Sequence, residues 1–310
     1  MDFQAGEFFF KDDLIINQFK GDRGLDYLRH GKHLRAKLCQ SFCATIDVRE
    51  KLAEHMAQII EHIHNATLTH DDVIDQSSFR RGQETFNQGH GNKKAVLLGD
   101  YILAYSLGQL ALYECPPLIS EVSYCLKSLV DGEWFQAENE DPFKINPGDY
   151  RKLAAAKTGS LFSLCFTLPA SLKGMSYQTV GILRDLGKEL GILFQIKDDL
   201  MDFSSQSQKT FGLDWKNHNP NFLMAKLGEL YPETDWKNIA LEDFMHGQYS
   251  DIFDKVQREI ITEYENRRQE LKENFREQLS QDTEGICHSE MIAFIDLVLE
   301  KIGELKWDNP

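Results

Sequence analysis

The sequence predicts an all-α, single-domain bundle of about ten or more helices, spanning residues 1–310 around a central cavity. Three observations point there. No stretch alternates apolar and polar residues over a useful strand length, whereas long segments repeat apolar residues at helical spacing. Only eight prolines occur, and no Gly/Ser-rich or low-complexity linker divides the chain. Two acidic runs, Asp71-Asp72-Val73-Ile74-Asp75 and Asp198-Asp199-Leu200-Met201-Asp202, sit inside apolar helical sequence, which suits polar groups projecting inward from facing helices.

Residues 1–30 read as one or two leading helices, with Phe3, Phe8, Phe9 and Phe10 as packing residues. In 31–46, Lys32 and Arg35 share a helix face. Residues 49–76 form the first long helix, which ends in the first aspartates and carries His64 two turns earlier. Ser77 to Gly91 reads as a polar loop holding Arg80 and Arg81. Residues 93–113 are apolar nearly all round, the pattern of a buried helix. Pro116 and Pro117 break it, and a further helix runs to about 138 past Trp134, Phe135 and Gln136. Residues 148–171 place Lys157-Thr158 in an otherwise apolar helix, where a buried lysine needs an anion partner. The second aspartate helix spans about 178–204. Ser204 to Asn221 reads as a polar loop with Lys209 and Lys216, and 222–306 as helix.

At about 100° per residue, Asp71 and Asp75 face the same way and repel each other. A divalent cation removes the repulsion, and an all-oxygen donor set favours a hard ion such as Mg²⁺, which in turn holds phosphate oxygens. One such run alone is an ordinary solvated acidic face. Two copies, flanked by Ile59, Ile60 and Ile63 and by Leu193, Phe194 and Ile196, are not. The residues point to a metal-dependent enzyme acting on a diphosphate. A net charge of −15 argues against a nucleic-acid surface and makes Lys32/Arg35 and Arg80-Arg81 stand out. The six cysteines include no Cys-x-x-Cys pair, which suits a reduced structural role. Residues 1–20 lack the pattern of a signal peptide, and no stretch reaches the roughly 18 apolar residues of a membrane span. The expectation is a cytoplasmic protein that is not an integral membrane protein.

Six runs occur in order between about residues 25 and 225: Gly31-Lys32-His33-Leu34-Arg35, the first aspartates, Arg80-Arg81-Gly82, Lys157-Thr158, Phe194-Gln195 and the second aspartates. Together they resemble the trans-isoprenyl diphosphate synthases, and Thr69-His70-Asp71 through Gly82 is especially like the longer-chain members. The resemblance implies a homodimeric prenyltransferase using Mg²⁺, three ions per active site. Asp71, Asp75 and Asp198 would hold metal directly, with Asp72, Asp199 and Asp202 in supporting or water-mediated roles. An allylic diphosphate would ionise and the double bond of isopentenyl diphosphate would attack the cation. The resemblance further assigns Lys157 and Lys209 to the departing diphosphate, and Thr158 and Gln195 to the cation. Arg80 falls to the allylic diphosphate, and Lys32, Arg35, His64 and Arg81 to isopentenyl diphosphate.

The pattern departs at His218-Asn219-Pro220-Asn221, where many members carry Gly-Lys-x-Thr, so Asn219 brings no charge. Rival readings are weaker. A terpene cyclase does not need the second diphosphate site, and a non-catalytic subunit of a heteromeric synthase is expected to lose aspartates. Glu61-x-x-His64 has no second copy to build a di-iron centre. Ala66 and Thr67, one turn before Asp71, are small where family members with short products carry large aromatics. A product tunnel is therefore expected toward Tyr101, Leu103, Tyr105 and Leu107, giving chains longer than C15, in the C20 to C40 range. Ala66→Phe should shorten them, and Trp134 or Phe135 would plug the tunnel lower down.

Overall fold

Short polar residues set where several helices begin. Asn146, Ser176 and Asn221 accept hydrogen bonds from the backbone N–H groups of Asp149, Thr179 and Leu223, and Pro147 takes the first helical position behind Asn146. The computed structural model describes residues 33–80, 82–203, 212–281 and 288–303. In order these form α1 (Leu34–Thr45), α2 (Glu50–Ile74), the hairpin β1 (Phe79–Arg80) and β2 (Gln83–Glu84), α3 (Phe86–His90), α4 (Asn92–Ala111) and α5 (Pro116–Glu138). Then follow α6 (Pro147–Ala154), a π turn (Ala155–Gly159), α7 (Ser160–Leu172), α8 (Tyr177–Asp202), α9 (Leu213–Asn217), α10 (Phe222–Leu230), α11 (Leu241–Met245), α12 (Ser250–Gln281) and α13 (His288–Gly303). The all-α expectation holds, with β1–β2 the only sheet among the described residues. The expected leading helices of residues 1–30 lie outside them.

The chain falls into two compact units, Met1–Val122 with Leu168–Gly174, and Ser123–Thr167 with Met175–Pro310. In the first, α2 packs on α1 and α4 through the fully buried Met56, Ile59, Ile60 and Ile63. His70 lies against Gly99, where a Cβ would come within 2.2 Å of Nε2, so the glycine lets α2 and α4 approach. Helix α4 is not buried all round as its composition suggested. Ala95, Leu98, Ile102 and Leu110 face inward, while Leu97 is 59% and Val96 41% exposed. Its apolar residues exceed what one packed face can take up. The Ser77–Gly91 loop likewise proves to hold β1, β2 and α3.

In the second unit, α8 lies backbone to backbone on the π turn and α7. A Cβ on Gly191 would fall 2.3 Å from Cα of Gly159, and one on Gly187 2.3 Å from Cα of Ser163. Trp215 stacks on Phe244 at 4.3 Å beneath the loop after α8. That loop contains α9, set between the left-handed residues Gly212 and His218. One expectation fails here: the run Pro147–Leu172 is long and apolar enough to cross a membrane. Its apolar window is 83% buried in the fold, so core packing accounts for the composition.

Candidate active site

The end of α2 carries the first aspartates. Asp71 is half-buried and Asp75, the C-cap, is exposed, one turn apart on the same side. Asp72 points inward and is 1% exposed. Its Oδ1 accepts a 2.7 Å hydrogen bond from Arg80 Nε, which β1 carries back toward the helix. Burial pushes the Asp72 carboxyl up, and the Arg80 guanidinium pulls against it. Asn87 Nδ2 and the Ser77 N–H bind the Asp72 carbonyl at 3.1 and 2.9 Å, tying the loop to the helix end. Gly82, at φ 75°, makes the hairpin turn that a side chain would strain.

Two turns back, His64 Nε2 lies 3.2 Å from Arg35 Nη1, so the two residues assigned to one diphosphate do meet. Sequence reasoning missed why Arg35 is placed there. The buried Glu61 accepts from the Ala36 N–H at 3.1 Å and pairs with His33 at 3.5 Å, capping the first turn of α1. Glu61 in the Glu-x-x-His pattern is thus a helix cap. Lys32, Arg81 and Lys209 lie outside the described residues.

In the second unit, the π turn presents Lys157 and Thr158. Lys157 is not the buried lysine that its apolar helix suggested: its side chain is 28% exposed and finds its anion partner in Glu133 at 2.5 Å, with Gln136 at 2.8 Å. Thr158 Oγ1 donates to Gln195 Oε1 at 2.9 Å, and Gln195 Nε2 donates to Asp199 Oδ1 at 2.9 Å. Asp199 is 2% exposed; its Oδ2 accepts from Tyr150 OH and, at 2.7 Å, from the Phe222 N–H. Burial, reinforced by Asp214, pushes the Asp199 carboxyl well above the usual carboxylate range. Both Asp199 oxygens serve protein donors. Asp202, 6% exposed, accepts from the Asp214 N–H at 3.0 Å. Asp198 is half-buried on the opposite side of α8 from a cleft of about 900 Å³ floored by Ile192, Leu193, Ile196 and Phe222.

One further expectation changes. Trp134 is 68% exposed and donates to Glu138 at 2.9 Å, so it plugs nothing in this unit; Phe135 is half-buried. Asn219 turns back onto Asp214, while Lys216 stands exposed on α9.

A family profile described as "Polyprenyl synthetase" matches residues 23–254. A decaprenyl-diphosphate synthase of Dictyostelium discoideum is 37% identical over 154 residues, half of this chain and 33% of that protein's own length. Among solved structures, a decaprenyl diphosphate synthase from Rhodobacter capsulatus superposes with a TM-score of 0.73 at 24% identity, covering 93% of this chain and 95% of that one. A polyprenyl synthase from Caulobacter crescentus, complexed with calcium and isoprenyl diphosphate, gives 0.74 at 20% identity over 94% and 90%. These structures share the all-α fold described above.

Proposed function

The chain belongs to the polyprenyl synthetase family, and from that premise we propose that it is an all-trans polyprenyl diphosphate synthase, a prenyltransferase that condenses an allylic diphosphate with isopentenyl diphosphate. One observation carries the reading. In both acidic runs the second aspartate is buried and held by protein donors, while the first is left half-buried. Two unrelated helices therefore present a carboxylate in the same supported way.

The donor set fits a hard divalent cation. Among the described residues no three His, Cys, Asp or Glu side chains group into a cage, and Asp72 Oδ2 is buried without a hydrogen-bond partner. Mg²⁺ is bound in that manner, by one or two carboxylates plus waters and substrate phosphates. Asp71, Asp75 and Asp198 are the residues that would hold it, three ions to a site, with Asp72, Asp199 and Asp202 behind them. When bound, the metal supplies Lewis-acid charge that weakens the C1–O bond of the allylic diphosphate. Lys157, paired with Glu133, adds a cation at the departing diphosphate. Arg80 reaches the allylic diphosphate from its anchor on Asp72, and Thr158 and Gln195 turn oxygen dipoles toward developing positive charge. Arg35 and His64, with Lys32 and Arg81, bind isopentenyl diphosphate.

Product length is read from the small, half-buried Thr67 one turn before Asp71, which supports chains longer than C15, in the C20 to C40 range. The exposed Val96, Leu97 and Leu112 support a homodimer, and six cysteines without a Cys-x-x-Cys pair support a reducing, cytoplasmic setting. The family match runs through both compact units, which supports one domain. Incubation of the purified chain with Mg²⁺, isopentenyl diphosphate and each allylic starter, followed by mass analysis, tests the reading. Products longer than C15 are expected. A profile dominated by C15 with isopentenyl diphosphate in excess overturns the chain-length reading, and no product overturns the activity.

A further inference from the structure

We infer that Tyr150 is a positioning residue of this site: acting through Asp199, it fixes which side of the Gln195 amide faces the substrate. The inference rests on the reading above that Gln195 meets the allylic cation.

Tyr150 stands on α6, 2% exposed, with its ring 5.4 Å from that of Phe222. Its hydroxyl donates to Asp199 Oδ2. The same oxygen takes the Phe222 N–H at 2.7 Å, and the Asn221 side-chain amide reaches the Asp199 carbonyl at 3.4 Å. Two donors on one oxygen, from α6 and from the start of α10, set the plane of the carboxylate. That plane aims Oδ1 at Gln195, four residues earlier on α8 and one turn away.

With both donors on Oδ2, Oδ1 is left as the acceptor that meets Gln195, and the one group of Gln195 that satisfies an acceptor is its NH₂. The amide carbonyl must then point the other way, where it receives the Thr158 hydroxyl. A flipped amide would set two acceptors against each other at Asp199 and two donors against each other at Thr158, unless the hydroxyl turned away. The direction of the dipole offered to a carbocation is thus decided from another helix, by a phenol that does not itself reach the substrate. With the Tyr150 hydroxyl removed, Oδ2 keeps a single donor and the carboxylate gains freedom about its Cβ–Cγ bond. Gln195 then samples both orientations, one of which presents a partial positive charge to a cation.

Tyr150→Phe keeps the ring and its packing, and it is read in the full chain. Turnover is expected to fall about 10-fold, as is usual when an orienting partner is lost, while KM for isopentenyl diphosphate stays within about 2-fold. In a Gln195→Ala background the same change should have almost no further effect, because the group it orients is gone. A full additive loss in that background overturns the inference, as does unchanged turnover with only a lowered Tm. A second readout needs no activity. The side-chain NH₂ resonances of Gln195, assigned by their disappearance in Gln195→Ala, should exchange slowly with solvent in the parent and clearly faster in Tyr150→Phe. Equal exchange in both overturns the role of Tyr150. An inactive parent with a protected amide overturns prenyl transfer instead and leaves the positioning intact.

Discussion

Asp71 and Asp72 are adjacent in the chain and opposite in circumstance. Asp72 is buried against Arg80, so Asp72→Asn should lower Tm by the equivalent of about 1–3 kcal/mol, because it strips a partly buried guanidinium of its partner. Asp71→Asn keeps the side chain's volume at a half-buried position and should lower Tm less than Asp72→Asn, while cutting turnover roughly 100-fold or more because it removes a proposed ligand charge. Melting curves and steady-state rates on the same preparations distinguish the two, and similar Tm losses in both would refute the division. His62 gives a second residue-scale test. Buried on α2 with its ring 5.9 Å from Tyr105, it is held down to about 3 by burial, with His55 adding to the effect. The native state keeps it neutral, whereas the unfolded chain takes up a proton below about 6.5. More protons on the unfolded state means that stability falls as the pH drops from about 6.5 toward 3, and is unaffected above that window. His62→Gln should flatten this part of the stability profile, as measured by urea unfolding at several pH values. An unchanged acid slope would show that other groups set it.

Backbone-to-backbone packing governs the elements. Gly191→Ala places a methyl 2.3 Å from Gly159 Cα, so α8 must move off the π turn. The expected cost is about 2–3 kcal/mol, and turnover should fall too, because the Thr158–Gln195 contact spans the same seam. A fully active, equally stable variant would mean that the seam is looser than these distances state. On α2, Ala66 is fully buried against Phe86, Ala95, Leu98 and Ile102, with Tyr101, Leu103 and Tyr105 packed alongside. Ala66→Phe therefore overpacks a helix seam before it shortens any product, at about 1–3 kcal/mol. Thr67, half-buried and turned back onto the His64 carbonyl, is the better lever. Thr67→Phe should shift the products shorter by mass analysis with little change in Tm.

For the whole molecule, the proposed homodimer predicts one sedimenting species of twice the chain mass at micromolar concentration. Leu97→Glu, on the exposed face of α4, should yield monomer; a parent that sediments as monomer refutes the proposal. Much of this architecture was legible in the chain itself. The helices announced themselves by apolar spacing, and the acidic runs by carboxylates embedded where apolar residues surround them. What escaped was the long-range half of each site. Nothing near Asp199 in sequence names Tyr150, 49 residues away, and nothing near Asp72 names Asn87, because such partners are chosen by packing rather than by spacing. The faces of α4 and α5 escaped for a related reason. Composition says that Leu97 and Trp134 are apolar, and only the packed structure says that both look outward.

A π turn holds one residue more than an α turn, so Ala155–Gly159 marks an insertion frozen into an otherwise continuous helix. Loss of one alanine there would restore ordinary helical phase and leave Lys157, Thr158 and Gly159 seated on α8. Because five residues of a π turn sweep roughly the angle that four of an α turn do, everything upstream would keep its phase, and the Tyr150 hydroxyl would still face the buried carboxylate. Relatives with a one-residue gap in this stretch should therefore keep the phenol, as should those that retain the length.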